Sequence, residues 1–116
     1  TEHAEEQAVS VFLDDLGVLK TRRLVDKSYW TISGDRIYLY FHGLHQLWAQ
    51  EFRKTRGEEA FKEGSIRAYI KEEPGFIDMN VPWRIEGQMK KCVVFDLAKA
   101  PTEIMNLIDS GNGSLL

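Results

Sequence analysis

Basic side chains give this chain its clearest chemical signal. Arg67 and Lys71 lie one helical turn apart, shortly after Ser65. A second set of basic and polar residues follows, and it comprises Arg84, Gln88, Lys90 and Lys91. Lysine and arginine neutralise phosphate charge, and a hydroxyl group near a helix start donates to a phosphate oxygen. Both sets are therefore candidates for contact with the backbone of a nucleic acid.

The neighbouring residues also allow a simpler interpretation of these two sets. Glu63, Glu72 and Glu73 flank the first set and would repel phosphates. Two basic residues on an exposed helix are often only a solvated surface, and Lys90 and Lys91 would equally protect an exposed edge strand from pairing with another chain. The predicted helix holds no Asn or Gln that could pair with adenine. We therefore expect backbone contact rather than reading of base edges.

Signals for catalysis and for metal binding are weak. His42 and His45 have a spacing compatible with metal ligands, but no cysteine or further histidine is near them, so we expect no metal site. The sequence shows no nucleophile with a positioned base and no glycine-rich phosphate loop. Adjacent acidic pairs such as Asp14 and Asp15 point apart on a helix and indicate a solvated surface. We expect a protein without catalytic activity and without a cofactor.

The tryptophans and the single cysteine are expected to pack in the core. Trp30, Trp48 and Trp83 could stack on the bases of a single strand, but all three fall at strand or helix positions typical of packing. Cys92 lies beside two valines in a predicted strand, which indicates a small buried residue. One cysteine forms no internal disulfide, which is consistent with a reducing cytoplasm.

Apolar periodicity and turn residues predict the order of the secondary structure. The predicted elements are a helix over 2–19, a short hairpin over 29–41, helices over 44–56 and 65–73, a long hairpin over 76–97 and a closing helix after residue 100. Ser65 is the predicted N-cap of its helix. Pro82 predicts an edge position or a bulge for its strand. In the first helix an apolar stripe is expected at Val9, Phe12, Leu13 and Leu16.

A strand followed by two helices and a β-hairpin is the order of a winged helix-turn-helix. We therefore predict an α+β fold: a winged helix-turn-helix with an additional N-terminal helix, an extra short hairpin and a short C-terminal helix. The predicted organisation is an N-terminal helix with a basic connector over 1–27, the winged-helix domain over 28–110 and a flexible tail over 111–116.

Composition is consistent with one domain that does not enter a membrane. The 116 residues suffice for a single core, and no apolar run approaches the roughly 18 residues that cross a bilayer. The net charge is −3, yet residues 20–91 carry fourteen Lys or Arg against ten Asp or Glu. A weakly basic middle between acidic ends leaves room for a phosphate-facing surface. The chain begins with Thr1 rather than methionine, as a piece of a longer protein would.

Residues 35–101 also resemble a known family. The resemblance is carried by residues 34–41, Trp48, residues 66–76, Gly87 and residues 90–97. These segments are similar to the winged helices at the C-terminal end of replicative helicase and primase-helicase proteins of phages, plasmids and genomic islands. The resemblance implies a segment with no ATPase or primase activity of its own, which touches origin DNA or helps to load and position the motor.

Three functions follow as hypotheses. The first is a non-enzymatic DNA-binding accessory domain of a mobile-element replication protein, with DNA and the rest of that protein as partners. The second is a winged helix that binds a protein partner or forms a homo-oligomer, using its aromatic surface and its acidic first helix. The third is a small dimeric transcription regulator, which would need a dimer surface such as the apolar stripe of the first helix.

Overall fold

The structure of the protein is a computed structural model that describes the backbone of residues 2–113 and the side chains of residues 7–108. Eight elements follow one another along the chain. They are α1 (Glu2–Thr21), β1 (Trp30–Ser33), β2 (Arg36–Leu39), α2 (Phe41–Arg56), α3 (Glu63–Ile70), β3 (Phe76–Ile85), β4 (Gln88–Asp96) and α4 (Thr102–Gly113). The α+β class is confirmed. Residues 114–116 of the predicted tail lie outside the described residues.

The four strands form one antiparallel sheet in the order β1-β2-β4-β3. The two predicted hairpins, β1-β2 and β3-β4, are present, and pairing of β2 with β4 joins them, with Ile37 opposite Phe95. The turn of the long hairpin is Glu86-Gly87, and both residues have positive φ, 51° and 82°. This is the geometry that a two-residue hairpin turn requires. β3 lies at the edge of the sheet and shifts register twice before Val81, as predicted for a strand that contains Pro82.

The main core lies between one face of this sheet and the helices. The predicted stripe of α1 is buried in it, with Phe12 1% exposed and its ring centroid 5.1 Å from that of Trp48. α1 packs against α3 and α4 as well as α2. Each such fully buried apolar side chain contributes roughly 1.5–3 kcal/mol. Because the stripe is used inside the molecule, it is not available as the dimer surface that the third hypothesis needs.

The helix α2 begins earlier than predicted and ends where expected. It starts at Phe41 rather than at residue 44, and its buried side includes Leu44, Trp48 and Phe52. Gly57 follows it with φ of 70°, and the Gly57 N–H donates to the Arg53 carbonyl. This left-handed cap suits glycine, which has no Cβ to oppose that conformation.

The helix α3 differs from its prediction at both ends. Lys62, in an extended conformation, occupies the N-cap position, so the assignment of Ser65 as the N-cap was wrong. Ser65 lies in the first turn instead, where its N–H donates to the Lys62 carbonyl. The helix stops at Ile70, three residues early, and turns lead to Pro74-Gly75. Proline disfavours helical geometry in the residue before it, so the helix could not continue past Glu73.

The two faces of the sheet carry different residues. On the helix-facing side, Val93 and Phe95 of β4 join the main core. The opposite side, called here the outer side, holds a second cluster formed by Tyr38, Ile85, Cys92 and Val94. Trp83 covers part of this cluster, with its ring stacked 4.1 Å from that of Tyr38. The prediction that Cys92 is buried is confirmed, and burial raises the pKa of its thiol to about 11.

No helix within residues 2–113 is both long and apolar enough to span a membrane.

Candidate nucleic-acid interface

Arg67, the first predicted contact residue, is held by three elements of the protein itself. Its Nε donates to Glu63 Oε2 at 2.8 Å, and one terminal nitrogen donates to Asn80 Oδ1 on β3 at 3.3 Å. Its guanidinium also lies over the Phe41 ring of α2, 4.9 Å from the centroid, and only 22% of the side chain is exposed. Arg67 therefore fixes α3 against α2 and the long hairpin, and its donors are largely used.

Glu63 is ionised, and neighbouring side chains offset its negative charge. Burial acts to raise its pKa, but hydrogen bonds from His42 and Arg67 outweigh burial and hold the pKa of Glu63 below its usual value. His42 Nδ1 lies 2.7 Å from Glu63 Oε1 and donates to it. Because two cationic or donor groups face this carboxylate, it repels an approaching phosphate less than the sequence alone indicated.

The outward surface of α3 is small and weakly polar. Gly64 and Ala68 are exposed, while Ser65 is half-buried in the first turn. Lys71 follows the last helical residue and is exposed, with Glu72 beside it. A helix that reads base edges presents long polar side chains toward them. This surface suits close approach of a backbone better than reading of bases.

Strand alternation separates the predicted contact residues of the long hairpin. Lys91 pairs with Pro82, and Arg84 pairs with Met89. Lys91 and Arg84 adjoin Cys92 and Ile85 of the outer cluster in sequence, so their side chains point to the helix-facing side of the sheet, beyond the end of the main core. The other pairs place Lys90 opposite Trp83 and Gln88 opposite Ile85, on the outer side. The seven predicted residues therefore form no single surface, and the two adjacent lysines point to opposite sides of the sheet.

Three cations lie on the helix-facing side, with Arg84 and Lys91 on adjacent strands of the hairpin and Lys71 directly after α3. We call Lys71, Arg84 and Lys91 the helix-side surface. All three are exposed, and Arg84 also donates across the hairpin turn to the Gly87 carbonyl at 3.2 Å. Among the described residues none of the three has a carboxylate within ion-pair distance. Several arginines elsewhere are paired, as in Arg56 with Asp15 at 2.8 Å.

The outer side holds a groove between the hairpin tip and α2, with a volume of about 550 Å³. Lys90 Nζ lies 4.4 Å above the centre of the Tyr40 ring at its edge. Sequence reasoning missed the α2 residues of this groove. The signal was present, since Gly43, Gln46 and Gln50 recur at helical spacing opposite the apolar stripe of α2.

The histidines and tryptophans contact partners within the protein. His45 Nε2 donates to the Phe61 carbonyl at 2.7 Å, whereas His42 contacts Glu63, so the two rings have separate partners. Within the described part of the chain, no group of three or more His, Cys, Asp or Glu could hold a metal ion. Trp48 is buried and donates to Asp15 Oδ2 at 2.9 Å, which confirms its predicted packing role.

No protein-family model, curated protein or solved structure was found to match the chain. Its function is therefore inferred from the geometry on the two sides of the hairpin.

Proposed function

We propose that the chain is a winged helix-turn-helix domain that binds duplex DNA mainly through the phosphate backbone and has no catalytic activity. The order helix, strand, helix, helix, hairpin and the pairing of β2 with β4 support this fold assignment. The observation that carries the proposed function is the helix-side surface. Lys71 directly follows α3, and Arg84 and Lys91 lie on the hairpin, which are the two parts that a winged helix presents to DNA. Among the described residues none of the three has a carboxylate within ion-pair distance.

Backbone contact is favoured over base reading for two reasons. Arg67, the longest donor on α3, is committed to Glu63 and Asn80. The other outward positions of α3 include Gly64, which has no side chain, and Ala68, whose methyl group does not reach base edges. Three phosphate contacts give a slope of log affinity against log salt of about −3.

We also propose that the domain is an accessory part of a larger mobile-element replication protein. The support for this is the resemblance of residues 35–101 described above, together with a surface that offers binding groups and no reacting ones. The neighbouring sequence on the same polypeptide tests it. A phosphate-binding loop of the form GxxxxGK[ST] upstream would support the proposal, because that loop identifies the nucleotide site of a helicase motor.

The adjacent lysines provide a matched test of duplex binding. Lys91→Glu and Lys90→Glu make the same charge change at neighbouring residues on opposite sides of the sheet. Fluorescence anisotropy with a labelled duplex at two salt concentrations should show that Lys91→Glu weakens binding about tenfold. Lys90→Glu should weaken it by no more than about threefold, because a charge on the opposite side of the sheet does not touch the duplex and is largely screened from it.

The helix-side surface as a whole is tested with a double substitution and its control. Lys71→Ala with Lys91→Ala should reduce the salt slope by about two. Lys27→Ala with Arg36→Ala removes the same charge from exposed positions outside this surface and should leave the slope nearly unchanged. Equal effects of the two pairs would refute the proposal. A chain that stays unbound at low salt would also refute it and would favour the protein-binding hypothesis.

A further inference from the structure

The groove on the outer side is polar and is built from two parts of the chain. Its α2 wall presents Gln46 and Gln50, and its hairpin wall presents Gln88 and Lys90. Each glutamine side chain offers both a donor and an acceptor. We call this site the outer groove.

An aromatic side chain at the edge of the outer groove is held in a fixed position. The Tyr40 ring packs against the first turn of α2, where a Cβ at residue 43 would come within 2.5 Å of it. Lys90 Nζ covers the ring from the hairpin side, 4.4 Å from its centre. Tyr29 lies next to it, 3.2 Å from the same Cβ position. Because Gly43 and Lys90 already order the ring, a ligand that contacts it loses little additional side-chain freedom.

The charge of the outer groove selects among ligands. Lys90 and Glu86 contribute one charge of each sign, and the other lining residues are uncharged. An anionic ligand as a whole gains little from such a lining. A planar, uncharged group with donors and acceptors on its edge fits better, provided that any attached negative charge lies near Lys90. A nucleobase with its phosphate has this chemistry, and bases of single strands are bound by aromatic contact and by hydrogen bonds to their edges.

We infer that the outer groove binds a base of single-stranded nucleic acid. Tyr29 and the rim of the Tyr40 ring supply aromatic contact, the three glutamines hydrogen-bond the base edge, and Lys90 contacts the adjoining phosphate. The inference rests on the proposed function in taking nucleic acid as the ligand, but it uses the opposite side of the sheet. It also gives Lys90 and Gln88, which lie away from the helix-side surface, a role in binding.

The test compares single strands with a duplex on the same variants. Gln46→Ala with Gln50→Ala changes two exposed positions on α2, where alanine favours the helix, so the fold is retained. Gln7→Ala, exposed on α1, is the control. Protein is titrated into labelled oligothymidylate and oligouridylate of about twelve nucleotides, and binding is followed by anisotropy. Comparing the two oligonucleotides decides between DNA and RNA. Circular dichroism checks that the variants are folded. The expected result is a loss of single-strand affinity of about tenfold or more, with duplex affinity within about twofold of the unmodified protein.

The second part of the test reverses the charge of Lys90. Lys90→Glu should weaken single-strand binding more than Lys91→Glu does, the reverse of the order expected for duplex. Single-strand affinity unchanged in the glutamine variant and in Lys90→Glu would overturn the inference, as would equal losses for single strand and duplex. Duplex binding without any single-strand binding would overturn the inference and leave the proposed function standing. Single-strand binding that depends on the outer groove, without duplex binding, would support the inference and refute the proposed function.

Discussion

Replacing Glu63 by glutamine removes the carboxylate that joins α2 to α3. Two hydrogen bonds, from His42 at 2.7 Å and from Arg67 at 2.8 Å, converge on it. A hydrogen bond to a charged group contributes about 1.5–3 kcal/mol. His42 is half exposed, and Arg67 retains its contacts with Phe41 and Asn80, so only part of the sum is lost. We expect the free energy of unfolding to fall by about 2 kcal/mol and the melting temperature by roughly 5–10 °C.

The assay is urea unfolding followed by tryptophan fluorescence, with an exposed carboxylate as control. Glu59 is 82% exposed and pairs with Arg53 at 3.4 Å. Glu59→Gln makes the same chemical change at the surface and should cost less than about 0.5 kcal/mol.

The pH dependence of the stability lost in Glu63→Gln tests the role of this carboxylate a second time. The pKa of Glu63 is lowered from its usual 4.5 in the folded protein. Its stabilising contribution is therefore complete above about pH 4.5 and is lost as the pH falls through the lower folded value. The difference between the unmodified protein and Glu63→Gln should persist at pH 7 and shrink in acid. Equal losses for Glu63→Gln and Glu59→Gln at pH 7, or a difference unchanged at pH 3, would refute the role given to this carboxylate.

Two further predictions concern the backbone and the thiol. Gly75→Ala places a Cβ 2.8 Å from the Lys99 carbonyl carbon at a φ of 82°, whereas Gly34→Ala adds a Cβ in open space at a φ of 62°. Measured by urea unfolding, the free energy of unfolding should fall by roughly 3 kcal/mol for Gly75→Ala and by roughly 1 kcal/mol for Gly34→Ala. Equal losses would contradict the close approach at Gly75. Cys92 is buried and its thiol has a pKa of about 11, so only about one thiol in a thousand is ionised at pH 8 in the folded protein. It should therefore resist a thiol reagent at pH 8 until urea unfolds the protein. Rapid labelling of the folded chain would contradict its burial.

Local patterns were sufficient for most of the fold. Both hairpins were predicted from glycines in their turns, and Gly34 and Gly87 have the positive φ that such turns need. The end of α2 at Gly57 follows from the same property. These features depend on residues close together in sequence, so sequence alone predicts them. The start of α3 did not follow its local signal, because Lys62 in extended conformation takes the cap position ahead of Ser65.

The candidate site was harder to predict because its decisive contacts are distant in sequence. His42 and Glu63 are 21 residues apart, and Arg67 and Asn80 are 13 apart, so no local pattern shows that Arg67 is already occupied. The separation of Lys90 from Lys91 was predictable, because neighbouring residues in a strand face opposite ways. Which of the two faces the helices depends on the burial of Val93 and Phe95, a property of the whole fold.

The bonds of Arg67 have a consequence for how the molecule meets any partner. One side chain touches the start of α2, the body of α3 and the middle of β3, so the angle between the hairpin and α3 is set internally. These contacts link the hairpin to α3 and favour one distance between the two parts before any partner binds. A partner of matching width docks without reshaping the protein, whereas a wider or narrower one must first open a guanidinium contact.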